Sequence, residues 1–204
     1  PYVGRARGVS ARAEVDLWGI GMFVVFLYGR PATGKYTIGK LVAKKLDIPL
    51  FHNHLTVDLV GSLFEFGTPE FVEMREKIWL DAFKVASQSG QSLVFTFNPE
   101  NTVEQNTIDE MRFAIEGSGG RLIFVELTCD ESEIEDRLGE ESRGGFGKLT
   151  DIGLYRKLSA ERVFDSPVMP EPLLSVDTSS VNASESAELI VEAVKEAVRQ
   201  GLHS

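Results

Sequence analysis

FLYGRPATGKYTIGK, residues 26–40, is the stretch from which the architecture follows. Its first residues end an apolar run that begins at Met22, and such a run closed by glycine is the pattern of a strand buried on both faces. A turn bracketed by Gly29 and Gly34 comes next, then Lys35, then Ile38, Leu41, Val42 and Leu46 at helical spacing. A glycine-bracketed turn between strand and helix aims backbone N–H groups and a positive helix end at one point, which is what a phosphate needs. Gly29, Gly34 and Lys35 meet the pattern G-x-x-x-x-G-K, while Tyr36 stands where Ser or Thr is usual.

The rest of the chain repeats this alternation. A short strand is predicted over 49–51. Thr68 as N-cap and Pro69 at the first helical position open a long helix, with Phe71, Met74, Ile78, Ala82 and Val85 as its expected inner face. A strand over 92–97 closes at Asn98-Pro99, a helix covers about 103–116, and a strand follows over 121–127. Asp130 and Glu133 cap a helix to about Leu138. A helix over about 152–163, a strand over 173–176 and a last helix opened by Asn182 and Glu185 complete the chain, the last with Ala187, Ile190, Val191, Val194 and Val198 inward. Strands alternating with helices predict an α/β fold in three layers: a five-stranded parallel sheet, helices on both faces, and ligands at the carboxyl ends of the strands.

A chain of 204 residues buries about 70–75% of its unfolded surface as one domain. The formal net charge of −10 argues against nucleic acid, which calls for a basic patch. The single Cys129 cannot pair internally, so a reducing, cytoplasmic setting is expected. Residues 1–21 are rich in Gly, Ala and Arg without periodicity and read as a flexible extension ahead of a domain over 22–204. Arg5, Arg7 and Arg12 before an apolar run imitate a secretory signal, but Glu14 and Asp16 abut that run, and cleavage after it would detach the strand that holds Gly29. The run is too short to span a bilayer, so no membrane partner is expected. A monomer or homodimer is expected.

The loop GRPATGKYT resembles those of the nucleoside monophosphate, shikimate and gluconate kinases, and Pro31 with Lys-x-Thr resembles adenylate kinase. The resemblance implies the P-loop NTPase fold with ATP and Mg²⁺ as cofactors. On it Gly29, Ala32, Thr33, Gly34, Lys35, Tyr36 and Thr37 hold the nucleotide. Lys35 reaches the β- and γ-phosphates, Tyr36 lends its backbone N–H, and Thr37 meets the α-phosphate and is the candidate Mg²⁺ contact, the metal being held largely by nucleotide and water.

HNHLTVDL, residues 52–59, follows the second strand and belongs to the same rim. His52 and His54 are two of only three histidines, and His54 and Asp58 are one helical turn apart if a helix begins there. Gluconate and shikimate kinases carry an Asp-x-Asp pattern in this place that binds the acceptor hydroxyl; here His52 and His54 occupy those positions around Asn53. A neutral histidine can take a hydroxyl proton or hydrogen-bond an anion. The competing reading is a histidine pair that merely caps the following helix. Too few further ligands exist for zinc. Arg75 resembles the arginine that holds the acceptor carboxylate in shikimate kinase, the alternative being a solvated charge beside Glu76 and Lys77. Asn98 is a candidate for the same pocket.

DRLGEESRGGFGKL, residues 136–149, places Arg137, Arg143 and Lys148 on and after a helix end. It resembles the lid of these kinases, about 139–150, and implies Arg137 and Arg143, with Lys35, as the cations on the moving phosphoryl group. A solvated charged loop is the alternative. VDTSS, residues 176–180, resembles the loop at the adenine edge, with Thr178 in it and Arg137 stacking on the other face. The whole resembles a branch of P-loop proteins with a His-Asn-His triplet. It implies an ATP-dependent phosphotransferase acting on a small-molecule hydroxyl, or alternatively a nucleotide-binding regulator or slow NTPase without an acceptor.

Overall fold

The computed structural model describes residues 21–139 and 149–200. Strands β1 (Phe23–Tyr28), β2 (Leu50–His52), β3 (Leu93–Phe97), β4 (Arg121–Thr128) and β5 (Leu174–Asp177) form one sheet in the order β2-β3-β1-β4-β5, every neighbouring pair parallel. The helices among the described residues are α1 (Lys35–Leu46), α2 (His54–Gly61), α3 (Pro69–Gln88), α4 (Gln105–Glu116), α5 (Glu131–Leu138), α6 (Ile152–Ala160) and α7 (Ala183–Gln200). The three-layer P-loop architecture expected from the sequence is therefore the one observed. None of these helices is long and apolar enough to cross a membrane.

Period-two alternation along β1 divides the interior into two cores. Phe23, Val25 and Leu27 meet Ile38 and Val42 of α1 and Ala187, Ile190, Val191 and Val194 of α7. Val24, Phe26 and Tyr28 meet Trp79 and Phe83 of α3 and Ile108, Met111 and Ile115 of α4. Phe26 is central to the second core, its ring centroid 5.1, 5.4 and 5.1 Å from those of Phe95, Phe97 and Phe124. A third, smaller cluster joins Ala32 to Ile134 and Leu138 of α5, Tyr155 of α6, and Phe164.

Three expectations about the helices need correction, the first at α5, where the Asp130 side chain makes no capping hydrogen bond. The buried stripe of α3 is Phe71, Arg75, Trp79, Phe83 and Ala86, while Val85 is 62% exposed. The helix turns its bulkiest aromatic rings to the sheet, and that phase carries Arg75 inward in place of Met74 and Ile78. The helix predicted over 152–163 stops at Ala160, because Arg162 takes a left-handed conformation (φ 59°) before a 3₁₀ turn at Val163–Asp165. The cap expected for the last helix is formed: Asn182 Oδ1 accepts from the backbone N–H of Ser184 and of Glu185, both at 3.0 Å. Arg143 and Lys148, in the expected lid, lie outside the described residues, as do residues 1–20 of the expected extension.

Candidate active site

The phosphate loop runs from the carboxyl end of β1, the central strand, into α1. Only glycine fits at Gly29, where a Cβ would stand 2.2 Å from the Leu127 carbonyl oxygen of neighbouring β4. Gly34 caps α1 in a left-handed conformation (φ 85°). Between them Ala32, a residue with a Cβ, also has φ 65°, and its burial in the third core holds that conformation. The Thr33 N–H and hydroxyl both turn back to the Arg30 carbonyl, at 3.4 and 3.0 Å. Lys35 Nζ donates to the carbonyls of Gly29 and Arg30, at 2.7 and 2.6 Å. Its charge thus lies across the mouth of the loop, beside the first turn of α1 where amide N–H groups leave the helix end.

A cleft of about 1290 Å³ opens over this loop. Ala32, Gly34, Lys35, Tyr36 and Thr37 line its floor, whereas Gly29 and Thr33 shape the loop without lining the cleft. Arg137 and Thr178 line the wall on the β4–β5 side. Arg137 donates to the Thr178 hydroxyl and carbonyl at 3.0 and 2.7 Å and to the Ala32 carbonyl at 3.4 Å. It also pairs with Glu133 at 3.0 Å. This guanidinium is therefore a strut between the phosphate loop and the β5–α7 loop. The Asp177 carboxyl beside it is held below the usual carboxylate range by the N–H of Ser179, then by the hydroxyls of Ser179 and Ser180.

On the β2–β3 side the expected residues separate. β2 extends one residue further than predicted, so strand alternation points His52 away from Phe51, into the protein. His52 is buried, its ring edge-on to Tyr36 with centroids 4.9 Å apart. Asn53 and His54 reach the cleft, as does Asn98 at the end of β3. Asp58 is exposed on α2 and lies outside the cleft lining.

Arg75 is corrected on both of its sequence readings: its side chain is 0% exposed, and it does not line the cleft. It donates to Glu100 Oε1 at 2.5 Å, to the Thr102 hydroxyl at 3.2 Å and to the Thr102 carbonyl at 3.1 Å. The rings of Phe71 and Trp79 flank it at 5.4 and 4.9 Å. Burial pulls its pKa down from the ordinary value, and Glu100 and Glu76 oppose that. Glu100 and Thr102, which Arg75 holds, do line the cleft.

Two participants gave no sequence signal. Arg30, inside the phosphate loop, pairs with Glu131 of α5 at 2.8 Å and with Asp165 at 3.0 Å, and donates to the Ser159 hydroxyl at 3.3 Å. Tyr155 donates to the other Glu131 oxygen at 2.9 Å, and burial, then Glu131, pushes its phenol up to about 12. Both pairings span a hundred residues or more for Arg30, and 24 for Tyr155, so local pattern carries no trace of them.

No protein-family model matches the chain, and no curated protein does. Among solved structures it is similar to a proposed kinase of Chloroflexus aurantiacus, at 20% identity and TM-score 0.62, over 88% of this chain and 98% of that one. It is also similar to Mycobacterium tuberculosis APS kinase in complex with AMPPNP and APS, at 17% identity and TM-score 0.59, over 86% and 99%. A third likeness is to shikimate kinase from Bacteroides thetaiotaomicron, at 17% identity and TM-score 0.57, over 86% and 98%. At these identities the likeness is one of fold: the chain has the architecture of the P-loop small-molecule kinases.

Proposed function

We propose that the chain transfers the γ-phosphoryl group of ATP to a hydroxyl of a small molecule, with Mg²⁺. The observation that carries this reading is the position of Lys35. Its ammonium group crosses the phosphate loop on the floor of one cleft, which runs from Arg137 and Thr178 on one side to Asn53, His54 and Asn98 on the other. A nucleotide fits the first side and an acceptor the second, with the loop between them.

In this reading Gly34, Lys35, Tyr36 and Thr37 offer backbone N–H groups to the phosphates, and Lys35 turns from its two carbonyls to the β- and γ-phosphates. Ala32 and Thr33 keep the loop in shape, and Arg137 with Thr178 borders the base. His54, on the cleft wall, takes the acceptor's proton, while buried His52 holds Tyr36 in place. Arg143 would come from a lid over about 139–150, within one catalytic unit over 22–204 in a cytoplasmic setting.

The donor set suits Mg²⁺. Thr37 lines the cleft at the first turn of α1, and among the described residues no cluster of three His, Cys, Asp or Glu could hold a metal. One hydroxyl, with phosphate oxygens and water, is the kind of site this ion accepts. Bound there, it would neutralise charge on the phosphates.

Calorimetric titration with ATP and Mg²⁺, followed by phosphate transfer to hydroxyl compounds, tests the proposal. Binding with acceptor-stimulated ADP formation is expected; absence of nucleotide binding would overturn it. A nucleotide-dependent regulator is favoured by one observation: Leu55 and Leu59 of α2 and Leu63 in the turn after it are 52, 55 and 63% exposed. Nucleotide binding with no stimulation by any acceptor would move the assignment there.

A further inference from the structure

The β2–β3 wall of the cleft carries more chemical information than the histidines alone. Asn53 and Asn98 both line it, and the Oδ1 atom of each is buried with no hydrogen-bond partner. Asn98 Nδ2 donates to the Pro99 carbonyl at 3.4 Å, which sets the orientation of that amide. A buried acceptor left unsatisfied costs roughly 1–3 kcal/mol, and in a cleft a donor that a ligand brings can satisfy it.

Glu100 adds a carboxylate to the same wall. Its side chain is 16% exposed, and Oε1 accepts from Arg75 and, at 2.9 Å, from the Thr102 hydroxyl. The charge of Arg75 is spent behind the wall, against Glu100. Among the described residues the only lysine or arginine side chains lining the cleft are Lys35 and Arg137, on its floor and opposite wall. A ligand carboxylate on this wall would therefore face Glu100 and two amide oxygens, and among the described residues no lysine or arginine of this wall would offset its charge. Val57 and Phe66 add apolar surface to the same cleft lining.

We propose that the acceptor is an uncharged polyhydroxylated compound of the sugar or cyclitol class, bound through its hydroxyl donors to Asn53, Asn98 and Glu100, with its C–H face on Val57 and Phe66. This rests on the phosphotransferase reading only for the transfer step. In that step the acceptor hydroxyl oxygen forms a bond to the γ-phosphorus, the bond from that phosphorus to the β–γ bridging oxygen breaks, ADP leaves, and the hydroxyl proton passes to the base.

The test uses matched pairs on one carbon skeleton, an aldose or alditol against the corresponding aldonic acid. Each is measured for binding by calorimetry without nucleotide and for turnover with ATP and Mg²⁺. The neutral member of at least one pair is expected to bind and turn over tenfold or more better than its acid. Asn98→Leu, close in shape but without the amide oxygen, is expected to weaken that binding at least tenfold while the melting temperature and ATP affinity hold. Preference for the acid, or no binding by any neutral member, overturns the proposal. Neutral binding without ATP binding leaves this wall assignment standing and removes the kinase reading instead.

Discussion

Lys35 and Arg75 are both cations held by oxygen atoms, and the difference in their surroundings separates chemistry from architecture. Lys35 donates to the carbonyls of Gly29 and Arg30 at the cleft floor, where it can turn to a ligand, so Lys35→Ala is expected to lower phosphate transfer by about 10²- to 10³-fold with the melting temperature nearly unchanged. Retained turnover would remove it from the reaction. Arg75 is fully buried and tied to Glu100, so Arg75→Ala is expected to cost about 3–5 kcal/mol in a denaturant titration. A loss under 1 kcal/mol would show the pair to be dispensable. Lys35 was legible in the sequence because its spacing from Gly29 and Gly34 is a local property. Arg75 was not, since its partner Glu100 lies 25 residues on and contributes by contact rather than by pattern.

Among the elements, the phosphate loop is pinned through Arg30 to α5 and to the 3₁₀ turn after α6, so these segments report on one another. Arg162, then Arg30, holds the Asp165 carboxyl below the usual carboxylate range. A depressed folded-state pKa contributes stability above the unfolded value, near 3.9, that is lost as pH falls through the folded value. Asp165→Asn is therefore expected to lower the melting temperature at pH 7, and the gap from the parent protein is expected to close as pH drops below about 4. A gap constant with pH would show that the carboxylate charge is not what holds the turn. The order of the five strands and of the long helices was legible, because β1 is uniformly apolar and α7 has a clean 3.6-residue stripe; the short helix α2 and the 3₁₀ turn at Val163–Asp165 were not. The phase of α3 was not: two rotations of that helix offer apolar faces, and only packing against Phe95 and Phe97 selects the one with Trp79 inward.

For the molecule as a whole, the sheet order puts β1 between the strands that carry the two walls. Thr178 follows β5 and Asn98 follows β3, three strands apart, which at about 4.8 Å per strand is roughly 14 Å. Substitutions that far apart add within about 0.5 kcal/mol. The losses in kcat/KM from Thr178→Val and Asn98→Leu are expected to multiply to within about twofold in the double variant; a larger departure would mean the walls communicate through the loop. Strand alternation made the cleft's location legible in advance, but which residues face it depends on where β2 ends and how α3 is rotated. The central strand also bears on descent. Since each wall hangs from its own pair of strands and they meet only at the loop, a lineage can acquire a new acceptor by rewriting residues 50–66 and 97–102. Everything that handles the nucleotide can be inherited intact.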